Sequence, residues 1–331
     1  MGTLQRLSAA AGVAFAAAVA LAGCSSASDG TAAAASAPAA AAPTPTTTLL
    51  PHWPVTIAAA NGTVTIKGLP QRIVSLDPTA TEDLYAVGAE TQVVAVDQYS
   101  DFPPGAPVTN LSGPAQSGVK PNIGAITGYH PSLVISQSDP RLVRALNKLG
   151  IPVLIEPEVS NLGDAYAQIE QIGLATGHAF QAGQTVAVMQ QEIAKVVRRA
   201  GTKYQGLTYY WETGANPYRS VTSATLIGRI MDLFGLQNIA DAANAPADGV
   251  DPVLPGGYIV AARPQVIFLA DTVAGGGQTP AMVAARAGWA GLPAVRDHAV
   301  FALNADIASR WGPRLPQLIA EIASALASLK S

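Results

Sequence analysis

Aromatic rings beside arginines recur in this chain at places where strands should end. Tyr99 and Phe102 form one group, Tyr209-Tyr210-Trp211 a second, and Tyr218-Arg219 and Arg310-Trp311 follow. Flat apolar faces next to fixed positive charge suit a large planar or anionic small molecule. Tyr99, Trp211, Arg219 and Arg310 are therefore expected to line a cleft. Tyr209 should point into the core of its strand, and Trp311 could equally pack under the C-terminal helix. Catalytic equipment is missing: the chain has no GxSxG, no HExxH, no GxxxxGK[ST] and no GxGxxG opening a helix. Its histidines, His52, His130, His178 and His298, are scattered over a tether, two helix ends and a turn. A bare transition-metal site needs several converging ligands, so no metal and no catalytic residue is assigned.

Composition narrows the class. The 331 residues are 49% hydrophobic and 12% charged, which implies a well-buried body large enough for two lobes. The formal charge is −3, and without residues 1 to 23, whose one charge is Arg6, 18 basic face 22 acidic side chains. No basic patch of the kind nucleic acid demands is present.

These loops need elements to hold them. From His178 to Ala200 the apolar positions Val186, Met189, Ile193 and Ala200, with Val196 or Val197, fall three or four apart, the stripe of a buried amphipathic helix. At 1.5 Å per residue it would run roughly 34 Å, enough to cross a small domain as a spacer. On both sides short apolar runs alternate with helical patterns, which signals α/β construction. Asn61-Gly62 reads as a two-residue hairpin turn. Arg72 to Leu76 reads as a buried strand, followed by a helix that Thr79 could cap with Glu82 three residues on. An internal echo follows. Ile123 to Pro131 leads into Ser132-Leu-Val-Ile135, and Gly257 to Pro264 leads into Gln265-Val-Ile-Phe268, both helix, proline, strand. Each continues with another helix and strand, Pro140 to Leu149 with Ile151 to Glu156 and Pro280 to Leu292 with His298 to Leu303. The offset is 133 residues, 264 minus 131, one copy on each side of the long helix. Ligands of open parallel sheets bind beyond the carboxyl ends of the strands, so two such lobes facing each other would share one cleft.

The N-terminus reads as processing signal. Arg6 supplies a basic n-region and Ala9 to Leu21 an apolar h-region too short to span a bilayer as a mature helix. Leu21-Ala22-Gly23-Cys24 is similar to the bacterial lipobox, in which Cys24 becomes the acylated new N-terminus. Cys24 is the one cysteine, so no internal disulfide can form. The expected organisation is a lipoprotein signal peptide at 1–23, a disordered Ala/Ser/Thr/Pro tether at 24–53, an N-terminal lobe at 54–160, linking helices at 161–203 and a C-terminal lobe at 204–331. Acyl chains on Cys24 would hold it, as a monomer, on the outer face of a membrane.

From residue 72 to about 329 the order of motifs resembles the substrate-binding proteins of bacterial importers for iron-siderophores, heme and cobalamin, and most of all their cobalamin-binding branch. The resemblance rests on RIVSLDPTATEDLYAVGA, YSDFPP at 99–104, LVRALNKLGIPVLIE, the Asn216-Pro217 turn and LNADIASRWGPR at 303–314. It implies an α/β fold of two Rossmann-like lobes with mainly parallel sheets, joined by one long backbone helix. It also implies little hinge motion and delivery of a captured ligand to an ATP-driven permease. Tyr99 falls on an aromatic that contacts cobalamin in that branch, and Asp306 on an acidic cleft residue. Gly124 and Gly257 stand where the relatives carry glutamates that dock onto permease arginines. Nearby acids such as Asp248 or Asp251 would have to substitute, or the receptor works without an ordinary permease.

The reading is a lipid-anchored, non-enzymatic receptor with no resident cofactor, gripping a cobalamin-type corrinoid or a ferric siderophore. Arg219 and Arg310 tilt it toward an anionic chelate. Alternatives are an envelope lipoprotein that kept the fold and lost import, and a heme receptor with Tyr99 as axial ligand.

Overall fold

Ile73–Leu76 and Val266–Leu269 are buried at every position, which requires strands covered on both faces. The computed structural model describes residues 52–111, 121–137, 139–243, 251–272 and 277–329. The expected signal peptide, Cys24, the expected tether up to Pro51 and Asp248 lie outside the described residues.

The folded part opens with an antiparallel hairpin of β1 (Val55–Ala59) and β2 (Gly62–Ile66), in register from Val55↔Ile66 to Ala59↔Gly62. Its turn is Ala60-Asn61, one residue earlier than Asn61-Gly62. Tertiary bonds explain the shift: the Asn61 amide donates to the Val153 carbonyl at 2.9 Å and its oxygen accepts from Ile155 N–H at 3.1 Å.

The first lobe then runs β3 (Ile73–Leu76), α1 (Pro78–Ala86), β4 (Val93–Val96), α2 (Ile123–Gly128), β5 (Leu133–Ser136), α3 (Pro140–Lys148) and β6 (Val153–Ile155). Its four strands lie in the order β4-β3-β5-β6, all parallel. Two linking helices follow, α4 (Leu162–Thr176) and α5 (Ala179–Ala200). The second lobe holds β7 (Thr208–Glu212), β8 (Gly214–Ala215), β9 (Tyr218–Arg219), α6 (Leu226–Asp232), β10 (Gln237–Asn238), α7 (Gly256–Ala262) and β11 (Val266–Leu269). It ends with α8 (Pro280–Ala284), α9 (Pro293–Arg296), β12 (Val300–Ala302), α10 (Ala305–Ala308) and α11 (Leu315–Ala327). The sheet order is β10-β7-β11-β12, again all parallel. Both sheets thus place their second strand outside their first and then add the third and fourth. The echo reaches the backbone: His130 and Arg263, each just before the matched proline, both adopt positive φ, 47° and 50°.

The expected rod is α5, 22 residues long, with Ala182, Val186, Met189 and Ile193 buried four, three and four apart. It packs against α4 on one side and α11 on the other. Burying Val186, Met189 and Ile193 contributes roughly 1.5–3 kcal/mol each as an upper bound. A single cluster of buried side chains joins Ile73 and Leu84 of the first lobe, Ile193 of the rod, and Trp211 and Phe268 of the second lobe. The lobes therefore share a core, and all described residues belong to one compact unit.

Two expectations are corrected. Helix α1 is capped by Asp77, which accepts from the N–H groups of Thr79 and Ala80 while Pro78 opens the first turn. Thr79 is already helical, and Glu82 is left for another task. Of the helix expected over 280–292 only α8 forms; the chain turns at Gly288, φ +81°, and α9 starts beyond the range at Pro293.

Candidate functional site

The carboxyl ends of the first lobe's strands and loops of the second lobe border a common hollow of about 650 Å³. The first lobe supplies Asp77, Thr79, Gln137 and the segment Ile155 to Ser160, and the second supplies Val221, Ala224 to Ile227, Ser309 and Trp311. A second hollow of about 610 Å³ lies at the first lobe's strand ends, lined by Asp97, Tyr99, Ser136, Asp139 and Arg141 among others. Gln137 belongs to both, so the two hollows adjoin. Asp97 shapes this rim: its carboxylate accepts from the N–H groups of Tyr99 and Ser100 and from the Ser100 hydroxyl.

Behind the cleft an ionic clasp spans the lobes. Glu82 of α1 has a side chain 1% exposed. It accepts from Arg314 Nε at 2.8 Å and Arg314 Nη2 at 2.5 Å, and from Arg310 Nη1 at 3.4 Å. Arg310 also donates to the Tyr99 carbonyl at 2.9 Å and to Asp101 at 2.7 Å, and lies 3.6 Å from Asp306. Arg314 stacks 4.0 Å from the Phe102 ring centre. Gly312 makes this approach possible, since a β-carbon there would stand 3.0 Å from Asp83 Oδ1.

Carboxyls gather on the first-lobe side. Burial holds Asp77 above its ordinary range, against the pull of the Thr79 and Ala80 N–H groups. Asp83, fully enclosed, is raised well above it by burial and then by the charge of Glu156. Glu156 is pushed up to about 8 by burial, with Asp77 adding repulsion. Both Glu156 carboxylate oxygens and Asp83 Oδ1 are sealed from solvent and have no hydrogen-bond partner.

The expected site residues scatter in position. Tyr99, 48% exposed, sits in the adjoining hollow. Trp211 does not line the cleft: it is 1% exposed, because pairing of β7 with β11 sets it opposite Phe268, whose ring centre is 6.0 Å away. Arg219 lies on the small β8-β9 hairpin with its guanidinium 2.6 Å from Asp251, both about half exposed. Arg310 is 8% exposed and committed to the clasp, and Asp306 supports it from the first turn of α10. The positive charges that favoured an anionic guest are thus already matched. Residues the sequence did not assign to the site are Arg314, Glu156 and Glu82, the last read only as a helix-capping residue. The tryptophan in the cleft is Trp311. A second buried pair closes the end of β7, where Arg286 donates to both Glu212 oxygens at 2.6 Å and lies 5.0 and 4.6 Å from the ring centres of Tyr218 and Trp289.

Two parallel sheets of like order, set around one hollow and bridged by a rod, define a two-lobed receptor for a small molecule. Residues 73–307 match the profile of the Periplasmic binding protein family, and the chain belongs to that family. It is 29% identical over 283 residues to an uncharacterized ABC transporter substrate-binding lipoprotein of Bacillus subtilis, covering 83% of this chain and 86% of that one. It is 29% identical over 265 residues to the vitamin B12-binding protein of Pectobacterium carotovorum, covering 79% and 90%. The crystal structure of the periplasmic vitamin B12-binding protein of Vibrio cholerae superposes with a TM-score of 0.63 at 25% identity, covering 78% and 97%.

Proposed function

We propose that this chain is the extracytoplasmic solute-binding lipoprotein of an ABC importer, anchored through Cys24, and that it captures an uncharged cobalamin-type corrinoid between its lobes. One observation carries the choice of ligand: among the described residues, no lysine, arginine or histidine lines the inter-lobe hollow, while Asp77, Glu156 and Glu158 do. A multiply anionic ferric siderophore would meet carboxyls there without a counter-charge. Heme would find no histidine, tyrosine, methionine or cysteine on those walls to reach its iron. The named B12-binding relatives support the corrinoid, and Trp311 offers it a flat apolar surface. The receptor works without a resident cofactor and releases its guest unaltered.

Titration of tryptophan fluorescence with cyanocobalamin, a triply anionic ferric catecholate and hemin tests this. Saturable quenching by cyanocobalamin alone is expected. Saturable binding of the catecholate in its place would overturn the choice. The second reading, a receptor uncoupled from an ordinary permease, has its own support. Gly124 and Gly257 are exposed in the first turns of α2 and α7, and neither turn carries an acid. Asp251 is engaged by Arg219 and by the Thr213 hydroxyl. Co-purification with a permease and its ATPase would exclude that reading.

A further inference from the structure

Two walls of the site meet in one side chain. Ser309 and Trp311 line the inter-lobe hollow on the second-lobe side. Arg310, between them in sequence, reaches across the seam and donates to the Tyr99 carbonyl at 2.9 Å and to Asp101 at 2.7 Å. Tyr99 in turn lines the adjoining hollow and is half exposed there.

The first lobe grips this loop only at its ends. Asp97 accepts from the N–H groups of Tyr99 and Ser100 at the start. At the far end the Tyr85 hydroxyl donates to the Gly105 carbonyl at 3.4 Å, and Ala106 N–H donates to the Pro103 carbonyl at 3.0 Å. From the Tyr99 carbonyl to the Phe102 ring, the polar and ring partners among the described residues come from the second lobe: Arg310 for Tyr99 and Asp101, and Arg314 for Phe102. A bond from a charged donor is roughly twice as strong as a neutral one, and the Arg310 side chain is only 9% exposed. The Asp101 end, 59% exposed, is the weaker half of the grip.

We propose that Arg310 is a positioning residue for ligand capture, tying the Tyr99 loop of the first lobe to the Ser309-to-Trp311 segment of the second so that both walls are set before a guest arrives. This rests on the corrinoid reading and names the device that presets its site. A corrinoid with its nucleotide loop is larger than a drug-sized molecule and overfills a hollow of about 650 Å³, so it extends to Tyr99 next door. Holding Tyr99 in place beforehand spares the guest the cost of ordering it. Arginine suits the task because its fork serves a carbonyl and a carboxylate at once while facing Glu82, which a single ammonium cannot do.

The test is a double-mutant cycle, read by equilibrium dialysis of cyanocobalamin against the full chain in detergent, with circular dichroism to confirm folding. Arg310→Lys keeps the charge beside Glu82 and Asp101 and removes the fork. It should weaken binding about tenfold in the wild-type background. In a Tyr99→Ala background, itself weaker than wild type, the same change should cost less than about twofold, because the residue it positions is gone. Asp101→Asn, which alters an exposed side chain and leaves Arg310 in place, should weaken binding in the same direction by a smaller factor. Amide exchange from Ser100 to Phe102 should quicken in Arg310→Lys. Undiminished affinity in Arg310→Lys or in Tyr99→Ala, or equal losses from Arg310→Lys in both backgrounds, overturns the positioning role and leaves the corrinoid reading standing. Failure of wild type to bind cyanocobalamin overturns both.

Discussion

Glu82 and Arg314 stand 232 residues apart and meet through two hydrogen bonds, at 2.8 and 2.5 Å, on the seam between the lobes. Glu82→Ala would leave Arg314, and in part Arg310, buried without their counter-charge. A loss of about 3–5 kcal/mol in chemical denaturation is expected. Exchanging both partners, Glu82→Met with Arg314→Met, should cost less than the single change, because no lone charge remains. A double variant less stable than Glu82→Ala would show that the pair itself, and not the avoidance of an orphan charge, holds the seam.

Helices α4 and α5 offer two glycines with opposite outcomes. A β-carbon at Gly173 would collide with that of Ala182 on the rod, so Gly173→Ala should destabilise by roughly 1–3 kcal/mol. Gly183 is exposed within α5 with nothing near its missing β-carbon, so Gly183→Ala should stabilise by up to about 1 kcal/mol. Thermal melts of the two variants should therefore shift in opposite directions.

Stability should depend on pH through Glu156. Its carboxyl releases a proton near 4.5 in the unfolded chain and at about 8 in the fold. Between these values the folded state binds more protons, so stability falls as pH rises through the window and levels off above it. Asp83 acts in the same direction. Melting temperature should decline from pH 5 to pH 8 in wild type, and more shallowly in Glu156→Gln. Parallel slopes would mean that Glu156 ionises normally.

Arg219→Ala should leave cyanocobalamin affinity unchanged and cost under about 1 kcal/mol, because its partner Asp251 is an exposed surface acid. A large loss of affinity would place Arg219 at the ligand after all.

What could be read from the chain beforehand was whatever repeats locally. The stripe of Val186, Met189 and Ile193 announced the rod, and the helix-proline-strand echo announced two lobes of like order. The site was harder because its geometry depends on distant pairings. Trp211 reads as a strand-end aromatic until β11 sets Phe268 against it. Arg310 reads as a free cation until Glu82 and Asp101, more than two hundred residues earlier, are folded against it. Glu82 reads as part of a capping box until Asp77 takes the cap. Glu156 carries no local sign at all, since its standing comes from the burial of both oxygens.

The rod wedged between α4 and α11, together with the shared core, leaves the two halves little freedom to swing. An empty receptor of this build keeps its mouth set before anything enters, and X-ray scattering profiles with and without cargo should nearly coincide. On the importer reading, letting go then becomes the difficult step, and the buried pairs of Glu82 with Arg310 and Arg314 are the contacts that a parting of the halves would have to break.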